Sequence, residues 1–258
     1  MSVSAPGERS AGTTNLWIAE LRLALSFLTI LPVAPRRAVP AAVSRSFRWF
    51  ALAGFMIGAA LCVEDWLLGF VFAPTSRSWL TILSLAVVTG GVHLDGLADT
   101  ADALGAGRNR ARALEIMRDS HIGSFGAIAL IFVLGLKVAA LSALTRPARY
   151  AALWLAPGLA RWAMVASADG LDYLRPRGAG TSLLGFDRRA LMVASLTVVV
   201  GALPVLFLPA LRAYVVAVAM VLILRTCYRR WLGGITGDLL GATGELVETA
   251  VLLAISAR

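Results

Sequence analysis

Eight apolar runs, at roughly 16–34, 49–72, 79–93, 123–145, 150–168, 190–210, 212–227 and 245–257, decide what this chain can become. Four of them, 49–72, 123–145, 150–168 and 190–210, reach about the 20 residues that a helix needs to cross a hydrocarbon layer. The first is interrupted by Glu20 and Arg22 and closed by Pro32 and Pro35, which suits an interfacial helix equally well. The last is short unless it starts near Leu239. Only 15% of the 258 residues are charged, against about a quarter in soluble domains. A soluble core of this size cannot hide a chain that is 59% hydrophobic, so lipid must solvate part of it. Inside lipid, backbone groups are satisfied within helices. The expected fold is therefore all-α: a polytopic transmembrane helical bundle with about six to eight membrane segments. It forms a single integral membrane domain over 1–258, with a polar tail at 1–15.

The formal charge is +9, and of the 24 basic residues only Lys137 is lysine. The arginines stand between apolar runs rather than in one basic tail. That pattern speaks for membrane topology and against nucleic acid. Placing 35–48 in the cytoplasm, with Arg36, Arg37, Arg45 and Arg48, puts 94–122, 169–189 and 228–244 on the same side, the last bordered to residue 248 by Glu245 and Glu248. Most of the 15 acids fall there too. A face both acidic and basic suits a metal ion and a phosphorylated substrate, with some arginines serving as forked phosphate donors. Cys62 and Cys227 are isolated and form no metal-ligand or disulfide pattern. The N-terminal stretch has no signal-peptide pattern, so insertion relies on the internal spans. Abundant Gly and Ala allow close helix packing, within the chain or in a homo-oligomer.

The stretch GGVHLDGLADTADALG places Asp95, Asp99 and Asp102 at i, i+4 and i+7. On a helix they fall within an arc of about 60°. Three unpaired carboxylates on one face repel, and a divalent cation answers that repulsion economically. Mg²⁺ is usually held by one or two carboxylates plus substrate phosphates. A solvated helix start, where acids are mildly favourable, is the alternative. On a continuous helix His93 points away from this face, unless Gly90-Gly91 breaks the chain and re-aims it as a base.

In RNRARALEIMRDSHIGSFG, the residues Arg112, Glu115 and Asp119 share a helix face, either as a surface network or as part of the site. Asp119 and Ser120, beside a glycine-containing turn, are the more site-like pair. LDYLRPRGAGTSLLG offers Arg175, Arg177, Gly178 and Gly180 to a phosphate, although it lacks a Walker A ending. RRWLGGITGDLLGATGELVE adds Asp238, Glu245 and Glu248, with Arg229 and Arg230 as the expected partners.

Read in order, HLDGLADTADALG, LEIMRDSHIGSFG and GGITGDLLGATGE make the chain resemble the cobalamin synthases, the adenosylcobinamide-GDP ribazoletransferases, over most of its length. The sequence departs from the pattern at His121, where that family favours Arg, and loses any phosphate contact Arg would give there. The resemblance implies a Mg²⁺-dependent enzyme of the bacterial inner membrane with its site facing the cytoplasm. Its substrates would be adenosylcobinamide-GDP and α-ribazole or α-ribazole 5′-phosphate, and GMP would leave. On that basis Asp95, Asp99, Asp102 and Asp238 are expected to hold the metal. Arg175, Arg177, Gly178 and Gly180, with Asp119 and Ser120, are expected to bind substrate. Asp102 or His93 is expected to take the proton. A CDP-alcohol phosphotransferase also carries an Asp-rich helix at the membrane face, but with its acids in another order. Membrane prenyltransferases, with two Asp-rich motifs, rank below it. A cation or proton transporter would place its acids near the bilayer midplane rather than in loops.

Overall fold

The computed structural model describes residues 14–36, 40–175, 188–205 and 208–257. Those residues form α1 (Thr14–Leu28), α2 (Pro40–Ser46), α3 (Phe50–Leu68), α4 (Pro74–Val88), α5 (Val92–Ala103), α6 (Arg110–Ile116), α7 (Ser124–Ala143), α8 (Arg146–Ala168), α9 (Arg188–Ala202), α10 (Leu208–Trp231) and α11 (Gly237–Ser256). Among the described residues the only β-type pairing is a single parallel bridge between Tyr173 and Ile235.

Among the described residues five helical segments are long and apolar enough to cross a membrane: Ala42–Leu68, Ser124–Ala143, Arg188–Val205, Ala210–Trp231 and Gly237–Ser256. A sixth arises only if the bent pair α4 and α5 is counted as one span. The expected six to eight segments therefore meet the structure at their lower edge. The run 150–168 accounts for much of the difference. It lies in α8, which is 23 residues long but carries Arg149 and Arg161, both about 1% exposed. α8 is the hub of the bundle, with α3, α9, α10 and α11 packed around it, so protein rather than lipid surrounds those cations. The last run reaches spanning length because α11 starts at Gly237, two residues before Leu239.

Side-chain size sets the closest packing. Gly54 and Gly58 lie one turn apart on α3, and a methyl group on either would collide with the α8 backbone at Pro157 and Leu153. Small residues at this spacing let two helices approach in lipid. On the outside, Ile131, Phe132, Met192, Leu196, Val215 and Leu222 are each more than half exposed, a surface suited to acyl chains. Two of the acids inside apolar runs, Glu20 and Asp65, are answered by arginine. Asp65 accepts from Arg149 at 2.6 and 2.8 Å and lies 3.2 Å from Arg77. Glu20 bonds Arg48 and lies 2.9 Å from Arg45, which ties α1 to the segment entering α3.

The chain turns sharply between α4 and α5. Gly90 and Gly91 have φ of 63° and 68°, which side chains with a Cβ rarely adopt, and the two helices meet at 90°. With twelve residues α5 is too short to cross a membrane and stands outside the five spans.

Candidate active site

α5 carries the acids, and α11 completes the face. Gly96 of α5 sits on the first turn of α11, where a Cβ would lie 2.8 Å from the Asp238 carbonyl oxygen. Gly241 of α11 rests in turn on the backbone of His93 and Gly96. This close crossing brings Asp238 beside the Asp95–Asp99 face. Thr236 caps α11 by accepting from the Leu239 N–H at 3.2 Å, so Asp238 stands in the first turn, where a negative charge is favoured.

Arg175 arrives from the other side. Leu174 donates its N–H to Ile235 and Ile235 donates to Asp172, each at 2.9 Å, holding 172–174 against the start of α11. Arg175 then bonds the Asp238 carboxylate and donates to the Met117 carbonyl at 2.8 Å, while its Nε has no partner.

Asp99 is the most perturbed group on this face. Burial first, then the charges of Asp95 and Asp238, push its carboxyl up from 3.8 to about 7, and Arg175 only partly offsets them. Among the described residues, three carboxylates thus lie around one guanidinium, which bonds Asp238, so acids are in excess. Among the described residues no three His, Cys, Asp or Glu groups converge as a closed metal cage. An open site of one or two carboxylates, completed by substrate oxygens, is the form that suits Mg²⁺, and exposed Asp95 with half-buried Asp99 fits it.

Two of the expected residues have their hydrogen-bonding partners elsewhere in the fold. Asp102 spends both oxygens on the amino end of α7, accepting from Gly123 N–H at 2.8 Å and Gly126 N–H at 2.9 Å. It fastens α7 to α5. A Cβ on Gly123 or Gly126 would strike its carboxylate, which explains the glycines of HIGSFG. His93 lies two positions before Asp95, about 200° around the helix. It is 3% exposed, with Nδ1 3.5 Å from Arg161, and burial followed by the Arg161 charge pushes it down to about 3. It does not reach the acidic face and is a poor base.

Other expected residues separate. Asp119 and Ser120 are exposed, and Asp119 pairs with His121 at 2.6 Å, which holds its carboxyl below the ordinary range. Arg112 and Glu115 form an exposed pair at 2.8 Å. Arg177, Gly178 and Gly180 lie outside the described residues.

Glu245 and Glu248 do not meet Arg229 and Arg230. They face inward, where Lys137 of α7 donates to both at 2.6 Å and Arg161 of α8 donates to Glu248 at 2.5 Å. The only lysine in the chain is thus sealed in the bundle, and neither it nor Arg161 was singled out from the sequence. The available signal was a cation inside an otherwise spanning apolar run.

Fold and site together define a multi-pass helical membrane enzyme that presents a carboxylate–arginine face on a broken helix pair. The chain belongs to the CobS family, described as cobalamin-5-phosphate synthase, which matches residues 20–256. It is thereby a transferase of cobalamin biosynthesis. It is 38% identical to an adenosylcobinamide-GDP ribazoletransferase of Desulforamulus reducens, over 92% of this chain and 96% of that one. It is 41% identical to the Syntrophobacter fumaroxidans protein of the same name, over 90% and 95%. For the Sinorhizobium medicae protein of that name the identity is 39%, over 90% and 94%. No solved structure matches the chain.

Proposed function

We propose that the protein joins adenosylcobinamide-GDP to α-ribazole or α-ribazole 5′-phosphate and releases GMP, at the cytoplasmic face of the bacterial inner membrane. A ribose hydroxyl of the acceptor attacks the cobinamide-linked phosphorus and gives up its proton to solvent water, the pyrophosphate P–O bond breaks, and GMP departs with the bonding electron pair. Phosphoryl chemistry of this kind depends on positioning and charge neutralisation more than on a covalent nucleophile.

The observation that carries this reading is the excess of carboxylates around Asp99 among the described residues, set beside the guanidinium that Asp238 holds in place. Asp95 and Asp99 would hold Mg²⁺, which when bound would supply charge neutralisation for the phosphates. Asp238 aims Arg175, whose remaining N–H groups address a phosphate oxygen as charge shifts to the leaving GMP. Asp102 keeps α7 docked so that the face holds its shape. The Gly96–Gly241 crossing keeps Asp238 in register with α5.

A test uses purified protein in liposomes with adenosylcobinamide-GDP, α-ribazole 5′-phosphate or α-ribazole, and Mg²⁺, following GMP and the corrinoid product. The proposal expects product from the wild type and almost none from Asp95→Asn or after EDTA. Turnover with neither acceptor by a folded wild type would overturn it.

A further inference from the structure

The end of α10 carries more positive charge than the active face uses. Two hollows open there, about 360 Å³ and about 620 Å³, and they share Arg230. The first is walled by Arg225, Arg229 and Leu222, the second by Arg108, Arg110 and Trp231. Their frame is held by hydrogen bonds. Trp231 Nε1 donates to the Gly107 carbonyl at 2.9 Å, Arg110 Nε donates to the Trp231 carbonyl at 3.1 Å, and Arg225 donates to the Asp169 carbonyl at 2.5 Å. The Trp231–Gly107 bond also ties this end of α10 to the loop that follows the Asp-bearing helix.

Three guanidinium groups remain over. Among the described residues no carboxylate pairs with Arg108, Arg229 or Arg230. A topological signal needs only positive charge near the membrane. It does not need fixed hollows, a tryptophan hydrogen-bonded into the wall, or guanidinium groups arriving from two separate parts of the chain. Forked donors around a hollow match phosphate oxygens. Leu222, 60% exposed, and the indole of Trp231 give each hollow an apolar side.

We propose that the paired hollows form a site for a phosphate ester, separate from the Asp95–Asp99 face and built from Arg108, Arg229 and Arg230 around Trp231. Two sources carry that chemistry: the headgroup of an anionic phospholipid beside α10, and a nucleotide phosphate entering from the aqueous side. The site does not depend on the transfer reaction being the one proposed above, so its test reads binding.

The protein is placed in phosphatidylcholine nanodiscs with and without phosphatidylglycerol. Retained lipid is measured by native mass spectrometry, and GMP affinity by calorimetry without Mg²⁺. The wild type is compared with the Arg229→Gln/Arg230→Gln double variant, with Arg108→Gln, and with Arg146→Gln, at the start of α8, as a charge control. The expected result is a loss of about tenfold or more in either phosphatidylglycerol retention or GMP affinity in the double variant, a smaller loss in Arg108→Gln, and none in Arg146→Gln. Loss of lipid retention identifies the headgroup, and loss of GMP affinity identifies the nucleotide. Melting curves confirm that the variants fold, and if the double variant does not, Arg108→Gln carries the test. Wild-type values for both ligands in the folded variants, or equal losses in Arg146→Gln, would overturn the site.

Discussion

Two groups of charged side chains meet on α11, and they differ in how their charge is answered. In the interior, Lys137 and Arg161 meet Glu245 and Glu248 at 2.5–2.6 Å, cation for anion, and all four are almost fully buried. At the accessible end, Arg175 is the one cation among the described residues set beside Asp95, Asp99 and Asp238, it bonds Asp238, and Asp99 is driven to about 7. A balanced buried cluster fixes three helices, α7, α8 and α11, against one another and has nothing left to offer a ligand. An unbalanced, half-exposed cluster stabilises nothing by itself and holds its charge ready for something that arrives.

The contrast makes opposite demands on mutants. Asp95→Asn and Asp99→Asn should each lower turnover about 10³-fold or more, equivalent to about 4 kcal/mol, while melting temperature in metal-free buffer stays level or rises because like charges are removed. GMP release and a thermal melt on the same preparations check both halves. Lys137→Met should do the reverse. It leaves a buried carboxylate without its cation, at about 3–5 kcal/mol of stability, and the protein should melt early or fail to accumulate. Adding Glu245→Gln leaves Arg161 and Glu248 paired and should restore much of the loss. A melt of the single and double variants decides this.

Asp102 sharpens the comparison, because it shares the helix face of Asp95 and Asp99 but serves α7. Asp102→Ala should cost about 1 kcal/mol as a lost helix cap, with a fall in turnover far smaller than that of Asp95→Asn. The pH dependence of the metal-free protein gives a subtler effect. Asp99 binds its proton more tightly folded than unfolded, so stability should decline as pH rises from about 4 to about 7. Mg²⁺ should remove that decline, and Asp99→Asn should abolish it, as melting curves across that range would report. Smallest of all, Glu115→Gln breaks an exposed pair with Arg112 and should change stability by less than about 0.5 kcal/mol.

How much of this was legible in the sequence follows from the reach of each interaction. The apolar runs announced the helices. The i, i+4, i+7 acids announced the face, and Gly90-Gly91 the break between α4 and α5, because all of these are local patterns. The Lys137 pairs span 108 and 111 positions, and no local spacing encodes them. Asp102 was grouped with its helix neighbours because its targets lie 21 and 24 residues ahead, on a helix whose docking angle only the fold decides. α8 passed for a lipid-facing span because length and average polarity do not reveal that its arginines point into protein.

The central claim is that the open carboxylate pair on α5 takes a divalent cation together with substrate phosphates. The most direct measurement is an electron paramagnetic resonance titration of Mn²⁺, in place of Mg²⁺, into nanodisc-embedded protein with GDP present. It would compare the wild type, Asp95→Asn/Asp99→Asn and Asp102→Ala. The account predicts saturable binding in the wild type, near-wild-type binding in Asp102→Ala, and none in the Asp95/Asp99 double variant. Saturable Mn²⁺ binding that survives in the folded double variant would contradict it.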